Sequence, residues 1–91
     1  MSIVICAHEA AGRIEWALRA LARQEVPEGI SWEVIVVDNA SRDGTGRVAR
    51  AMGEKLGLNL RVVWEERAGL IHARRCGVRA ARGEFTSYVD D

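Results

Sequence analysis

The stretch Glu33-Val34-Ile35-Val36-Val37-Asp38-Asn39-Ala40-Ser41-Arg42-Asp43-Gly44-Thr45 decides the fold. Val34 to Val37 form an unbroken β-branched run, the signature of a short strand covered on both faces. Residues 38–44 are polar and turn-forming. A helix is expected beyond them, over about 45–56, because Val48, Ala49, Met52 and Leu56 share one face. Ser41, Asp43 and Thr45 are candidate caps, since short side-chain oxygens accept from the free N–H groups of a first turn. A buried strand that runs through a tight turn into a helix is half of a parallel crossover unit.

The same alternation continues in both directions. Toward the N-terminus, Ser2-Ile3-Val4-Ile5-Cys6-Ala7 is another buried strand. Between Gly12 and Gln24 the residues Ile14, Ala17, Leu18, Leu21 and Ala22 form one helical stripe, and Pro27 and Gly29 then break the chain. Toward the C-terminus, Gly57 ends the second helix and Leu60-Arg61-Val62-Val63-Trp64 supplies a third strand. A third helix is expected from Gly69 to Arg82, stopped by Gly83, and Phe85-Thr86-Ser87-Tyr88-Val89 makes a fourth strand. The pattern β-α-β-α-β-α-β implies an α/β protein of three layers, α/β/α, with a Rossmann-like parallel sheet and right-handed crossovers. Analogy with nucleotide-binding folds gives a strand order of 3-2-1-4.

Composition bounds the function. The chain has 91 residues, 48% hydrophobic and 29% charged, with 13 Lys+Arg against 13 Asp+Glu. Such a chain is at most one domain, and its apolar content excludes a disordered tail. Zero net charge argues against a nucleic-acid partner, whose binding rests on positive charge. No apolar run approaches the ~20 residues of a membrane span, and Glu9 and Glu15 interrupt any secretory signal. Cys6 and Cys76 match no metal or redox spacing and read as reduced, partly buried thiols of a cytoplasmic protein.

Acids cluster where a parallel sheet binds its ligands, outside the carboxyl ends of the strands. The first strand leads into Glu9, the second ends at Asp38 and the fourth at Asp90-Asp91. In the order 3-2-1-4 these strands are neighbours, and like charge gathered in one crevice calls for a cation or for hydrogen-bond donors. On the third helix Leu70, Ala73, Gly77 and Ala81 are expected to press on the sheet, with Arg74 in the middle of that face. Its guanidinium there needs the strand-end acids or a bound phosphate. His8 and His72 lack a partner acid at a fixed spacing and read as surface or packing residues. Trp16, Trp32 and Trp64 read as packing residues at the edges of the core.

These segments, in this order, resemble the N-terminal nucleotide-binding half of family 2 glycosyltransferases, GT-A-fold enzymes that use nucleotide-diphosphate sugars. The resemblance rests on Ser2 to Glu9, on Glu33 to Thr45, on Gly69, Ala73-Arg74, Gly77 and Ala81-Arg82-Gly83-Glu84, and on Asp90-Asp91. It covers essentially the whole chain. Asp90-Asp91 is similar to the start of the family's Asp-x-Asp motif, so residues 1–91 are expected to be the donor half of a domain, cut inside that motif. By the resemblance, Asp38 binds the nucleotide base, with Ala7 to Glu9 lying against it. Arg74 helps to hold the base or diphosphate, Asp90 and Asp91 hold the ribose, and Asp91 approaches the metal. The cofactor implied is a divalent cation, Mn2+ or Mg2+, which neutralises the leaving diphosphate.

The chain departs from the family at Cys6-Ala7-His8-Glu9, where Pro-x-Tyr-Asn is common, and at Arg75, where Asn often follows the Ala-Arg pair. Glycosyl transfer with inversion is the implied reaction, to a saccharide or lipid acceptor that the sequence does not identify. No residue is a convincing general base for the acceptor, so the isolated chain is expected not to turn over. A longer parent protein could be membrane-associated.

Two other classes stand beside this reading. A dinucleotide-dependent oxidoreductase would use Asp38 on a ribose, but Glu9-Ala10-Ala11-Gly12-Arg13-Ile14 offers a single glycine. A non-catalytic nucleotide-binding or assembly module would self-associate through an exposed sheet edge.

Overall fold

The computed structural model describes residues 1–24, 31–82 and 86–90. Strand β1 spans Ser2–Ala7, helix α1 Ile14–Ala22, β2 Glu33–Asn39, α2 Thr45–Leu56, β3 Leu60–Glu65, α3 Leu70–Ala80 and β4 Thr86–Asp90. The expected breaks at Pro27, Gly29 and Gly83, together with Phe85 and Asp91, lie outside the described residues.

All pairings are parallel, and the strands are hydrogen-bonded in the order β3-β2-β1-β4. Every residue of β1 is buried, as is β2 after Glu33, because helices cover both faces of these strands. On one face Ile5 and Ala7 of β1 and Val34 and Val36 of β2 meet Ile14 and Leu18 of α1 and Ala49 and Met52 of α2. On the other, Val4, Cys6, Ile35 and Val37 meet Ala73 of α3. The two sets alternate along each strand, as a pleated sheet requires.

The face of α3 differs from the expected one. Ala73 and Gly77 are buried and Cys76, Ala80 and Ala81 pack beside them, whereas Leu70 is 44% exposed and Arg74 is exposed. The cause is the close approach at Gly77, where an added Cβ would lie 2.4 Å from Val4 Cγ1. The smallest side chains therefore set the contact, and the buried stripe turns away from Leu70 and Arg74. Two of the three tryptophans also depart from expectation. Trp32 packs against the core, but Trp16 is 72% and Trp64 57% exposed, since neither lies on the core side of its element.

The amino ends of the strands are clasped by one carboxylate. Glu33 accepts from Ser2 Oγ at 2.7 Å, from Arg61 Nε at 3.2 Å and from the Arg82 N–H at 2.9 Å, and Arg61 Nη2 also donates to the Ala80 carbonyl. Glu33 thus links β1, β2, β3 and the segment after α3. Burial raises its pKa, but the Ser2, Arg82 and Arg61 donors outweigh burial and hold it below the ordinary 4.5.

Candidate functional site

At the carboxyl ends of β1 and β2 the chain turns away from the sheet twice, each time through a strained residue. Glu9 has φ 49° and Ala40 has φ 54°, left-handed values that non-glycine residues rarely adopt. The two turns hold each other there. The Glu9 N–H donates to Ser41 Oγ at 2.9 Å, Ala10 N–H to Thr45 Oγ1 at 2.9 Å and Ala11 N–H to Asp43 Oδ2 at 3.0 Å. In return Glu9 Oε1 accepts the Arg42 N–H at 2.6 Å. Strain of this kind persists only where the surroundings over-determine it.

Asp38 is buried and paired in register with Ala7. Its Oδ1 accepts from the Ser41 N–H at 3.2 Å and its Oδ2 from the Gly46 N–H at 3.1 Å, so it satisfies a donor in the first turn of α2. Asp43 Oδ1 accepts the Thr45 N–H at 3.0 Å and the Thr45 hydroxyl. The Thr45 hydroxyl is the largest influence on Asp43 and, with the Ala11 N–H, holds its carboxyl below the ordinary 3.8. The N-cap position of α2 is Gly44, and Asp43 and Asp38 accept from the Thr45 and Gly46 N–H groups that follow it. Ser41 and Thr45 instead accept from the Glu9 and Ala10 N–H groups of the turn after β1. The charge gathered at these strand ends is met by backbone N–H groups.

On the α3 side of the same edge lies a groove of about 300 Å³, lined by Cys6, Ala7, His8, Asn39, Ala68, Gly69, Leu70 and Ala73. Asn39 is 4% exposed. Its Nδ2 donates to the Glu65 carbonyl at 3.1 Å and the Arg67 carbonyl at 2.7 Å, and its Oδ1 accepts the Gly69 N–H at 3.0 Å. Gly69 has φ 127°, a backbone that a side chain would strain. His8 Nδ1 lies 2.5 Å from the Asn39 carbonyl oxygen, which can only accept, so the ring hydrogen sits on Nδ1.

Of the residues expected at the site, Ala7 lines the groove, while Glu9, the next residue after His8, turns its carboxylate to the Arg42 N–H. Asp38 lines a separate pocket on the α2 side, with Gly46, Arg47, Arg50 and Trp64. Arg74 is exposed one position beyond Ala73. Asp90 pairs with Cys6, which brings the end of β4 beside the groove, and Asp91 lies outside the described residues. Two further lining residues are Asn39, for which the sequence carries no expectation at the site, and His8, which falls within the Ala7 to Glu9 segment but reads there as a surface or packing residue. Strand alternation carried the signal for Asn39, since the residue after Asp38 must face the other side of the sheet. The contact of His8 with Asn39 spans 31 positions, and no spacing in the sequence signals it.

Among the described residues no three His, Cys, Asp or Glu side chains are grouped to hold a metal ion. His72 Nδ1 is buried without a hydrogen-bond partner among them. Both cysteines are free, and burial, reinforced by the Glu65 charge, raises the Cys76 thiol pKa. No helix among the described residues is long and apolar enough to cross a membrane.

A family model described as "Glycosyl transferase family 2" matches residues 2–91. The chain belongs to this family. Among family members, the glycosyltransferase AglE of Haloferax volcanii is 33% identical over 91 residues, which are 99% of this chain and 29% of that protein. Among solved structures, the mannosyltransferase PcManGT from Pyrobaculum calidifontis, in complex with GDP-Man and Mn2+, superposes with a TM-score of 0.88. It is 35% identical, over 98% of this chain and 26% of that one. Residues 1–349 of TarS from Staphylococcus aureus, in complex with UDP-GlcNAc, give a TM-score of 0.80 at 30% identity, over 98% of this chain and 25% of that one. The chain spans less than a third of the length of each of these relatives. Over the part it spans, the chain thus has the α/β fold of GT-A glycosyltransferases.

Proposed function

We propose that the chain binds the nucleotide-diphosphate sugar donor of an inverting glycosyl transfer, with the base in the groove between His8 and Gly69. The observation that carries this reading is the position of that groove, at the carboxyl ends of two central parallel strands, where open α/β sheets take their ligands. The likeness to structures holding GDP-Man and UDP-GlcNAc supports the ligand class.

In this reading Ala7 forms part of the groove and leaves room for a base, while Asp38 fixes the turn behind it. Glu9, with Ala7, is assigned to the base, and Arg74 to the base or diphosphate. Asp90 and Asp91 lie toward the ribose, with Asp91 the metal-binding position. A divalent cation, as the Mn2+ in the PcManGT complex suggests, would neutralise the two charges of the leaving diphosphate. The described residues do not compose a cation site by themselves. This chain's own contribution is to bind and orient the donor. The acceptor, saccharide or lipid, meets no assigned residue here, and the chain alone is not expected to turn over. Free thiols at Cys6 and Cys76 support a cytoplasmic setting.

Dinucleotide redox chemistry has less support. A dinucleotide fold cradles pyrophosphate on the free N–H groups after its first strand. Here the N–H groups of Glu9, Ala10 and Ala11 already donate to Ser41, Thr45 and Asp43.

Titration calorimetry of UDP, GDP and NAD, each with and without Mn2+, tests the reading. Metal-dependent binding of UDP or GDP is expected. Selective NAD binding, or no nucleotide binding at all, overturns it.

A further inference from the structure

Asn39 stands out because one buried side chain holds three backbone groups of a loop that is distant in sequence. Its amide donates twice, to the carbonyls of Glu65 and Arg67, and accepts once, from Gly69. The loop between β3 and α3 supplies Ala68 and Gly69 to one bank of the groove, and Leu70 of α3 follows directly. The opposite bank is His8, and its Nδ1–H donates to the main-chain carbonyl of the same Asn39. The two banks therefore meet at one residue at the carboxyl end of β2.

We propose that Asn39 is a positioning residue that sets the width of the groove, and so the affinity for the nucleoside end of the donor, without itself touching the reacting atoms. The proposal rests on the donor-binding reading above and adds to it the residue that holds the pocket open at one width. Only a primary amide suits the position. Aspartate has the same shape and can still accept from Gly69, but it cannot donate to two carbonyls, and its charge would face both of them. Leucine would fill the volume and leave all three loop groups unpaired. Without the amide the loop samples other positions, and a ligand must then be bound by the fraction of molecules in the competent one.

The test compares the full chain with Asn39→Asp and with the core variant Met52→Ala, which lies on the opposite face of the sheet and lowers stability without touching the groove. Two quantities are read: affinity for UDP and GDP by calorimetry, and amide hydrogen exchange at Ala68, Gly69 and Leu70. Asn39→Asp is expected to weaken nucleoside-diphosphate binding by about tenfold or more and to speed exchange at these three amides. Met52→Ala is expected to lower the melting temperature yet leave both local exchange and affinity at the wild-type values. Asn39→Asp with wild-type affinity and wild-type exchange overturns the proposal. Equal affinity losses in both variants also overturn it, since general destabilisation would then account for the loss. If wild type binds neither nucleotide, the donor-binding reading fails. The affinity role of Asn39 then falls with it, while the exchange data still decide whether Asn39 holds the loop.

Discussion

Asp38 ends a buried strand, and each of its carboxylate oxygens accepts a backbone N–H group of the turn and helix that follow. Asp38→Ala would leave the buried Ser41 and Gly46 donors unpaired, each at a cost of about 1–3 kcal/mol. The chain is therefore expected to lose stability in a urea melt; an unchanged midpoint would show that water replaces the carboxylate. Gly77 makes the complementary point for packing. Its missing Cβ lets α3 approach Val4, so Gly77→Ala is expected to lower unfolding free energy by about 1–3 kcal/mol through overpacking. A calorimetric melt that matches wild type would mean that the helix can shift outward at no cost.

At the scale of elements, periodicity located every strand and helix, because each buries a face and apolar spacing reports that face directly. The limits of β2 and α3 moved by a few residues. Strand β2 runs on through Asp38 and Asn39, two polar residues that neighbouring strands keep in the sheet. Helix α3 begins at Leu70 and ends at Ala80, because Gly69 and Ala81 have non-helical backbones. The clasp at the amino ends of the strands gives a prediction belonging to this scale. Glu33 titrates below its ordinary 4.5 in the native state, so the unfolded chain binds more protons in that range. Its contribution is present above about 4.5 and is lost as pH falls through the lower native value. Asp43, also held below its ordinary value, acts in the same direction. Denaturation midpoints between pH 7 and pH 3 should hold steady and then fall below about pH 4.5. Glu33→Gln should flatten that fall, and an equally steep fall in the variant would assign it to other carboxylates.

For the whole molecule, the decisive expectation is that the nucleotide site assembles from segments remote in sequence. Nucleoside-diphosphate binding should therefore disappear together with the fold in a denaturant titration followed by ligand protection. Binding that survives unfolding would locate it in a local motif instead. Of the two edges of the described sheet, β4 is the one beside the groove strand β1. Self-association by pairing along that edge would appear as concentration-dependent mass in light scattering, and a constant monomer mass would exclude it. The sequence alone determined the order of elements, the three layers and the likeness to family 2 glycosyltransferases. All of these follow from local periodicity and from residues adjacent in the chain. Tertiary structure alone decided that Arg74 lies outside the buried face of α3 and that Asn39 joins the two banks of the groove. The Asn39 contacts join donors and acceptors separated by about thirty residues of chain, and no local pattern encodes such meetings.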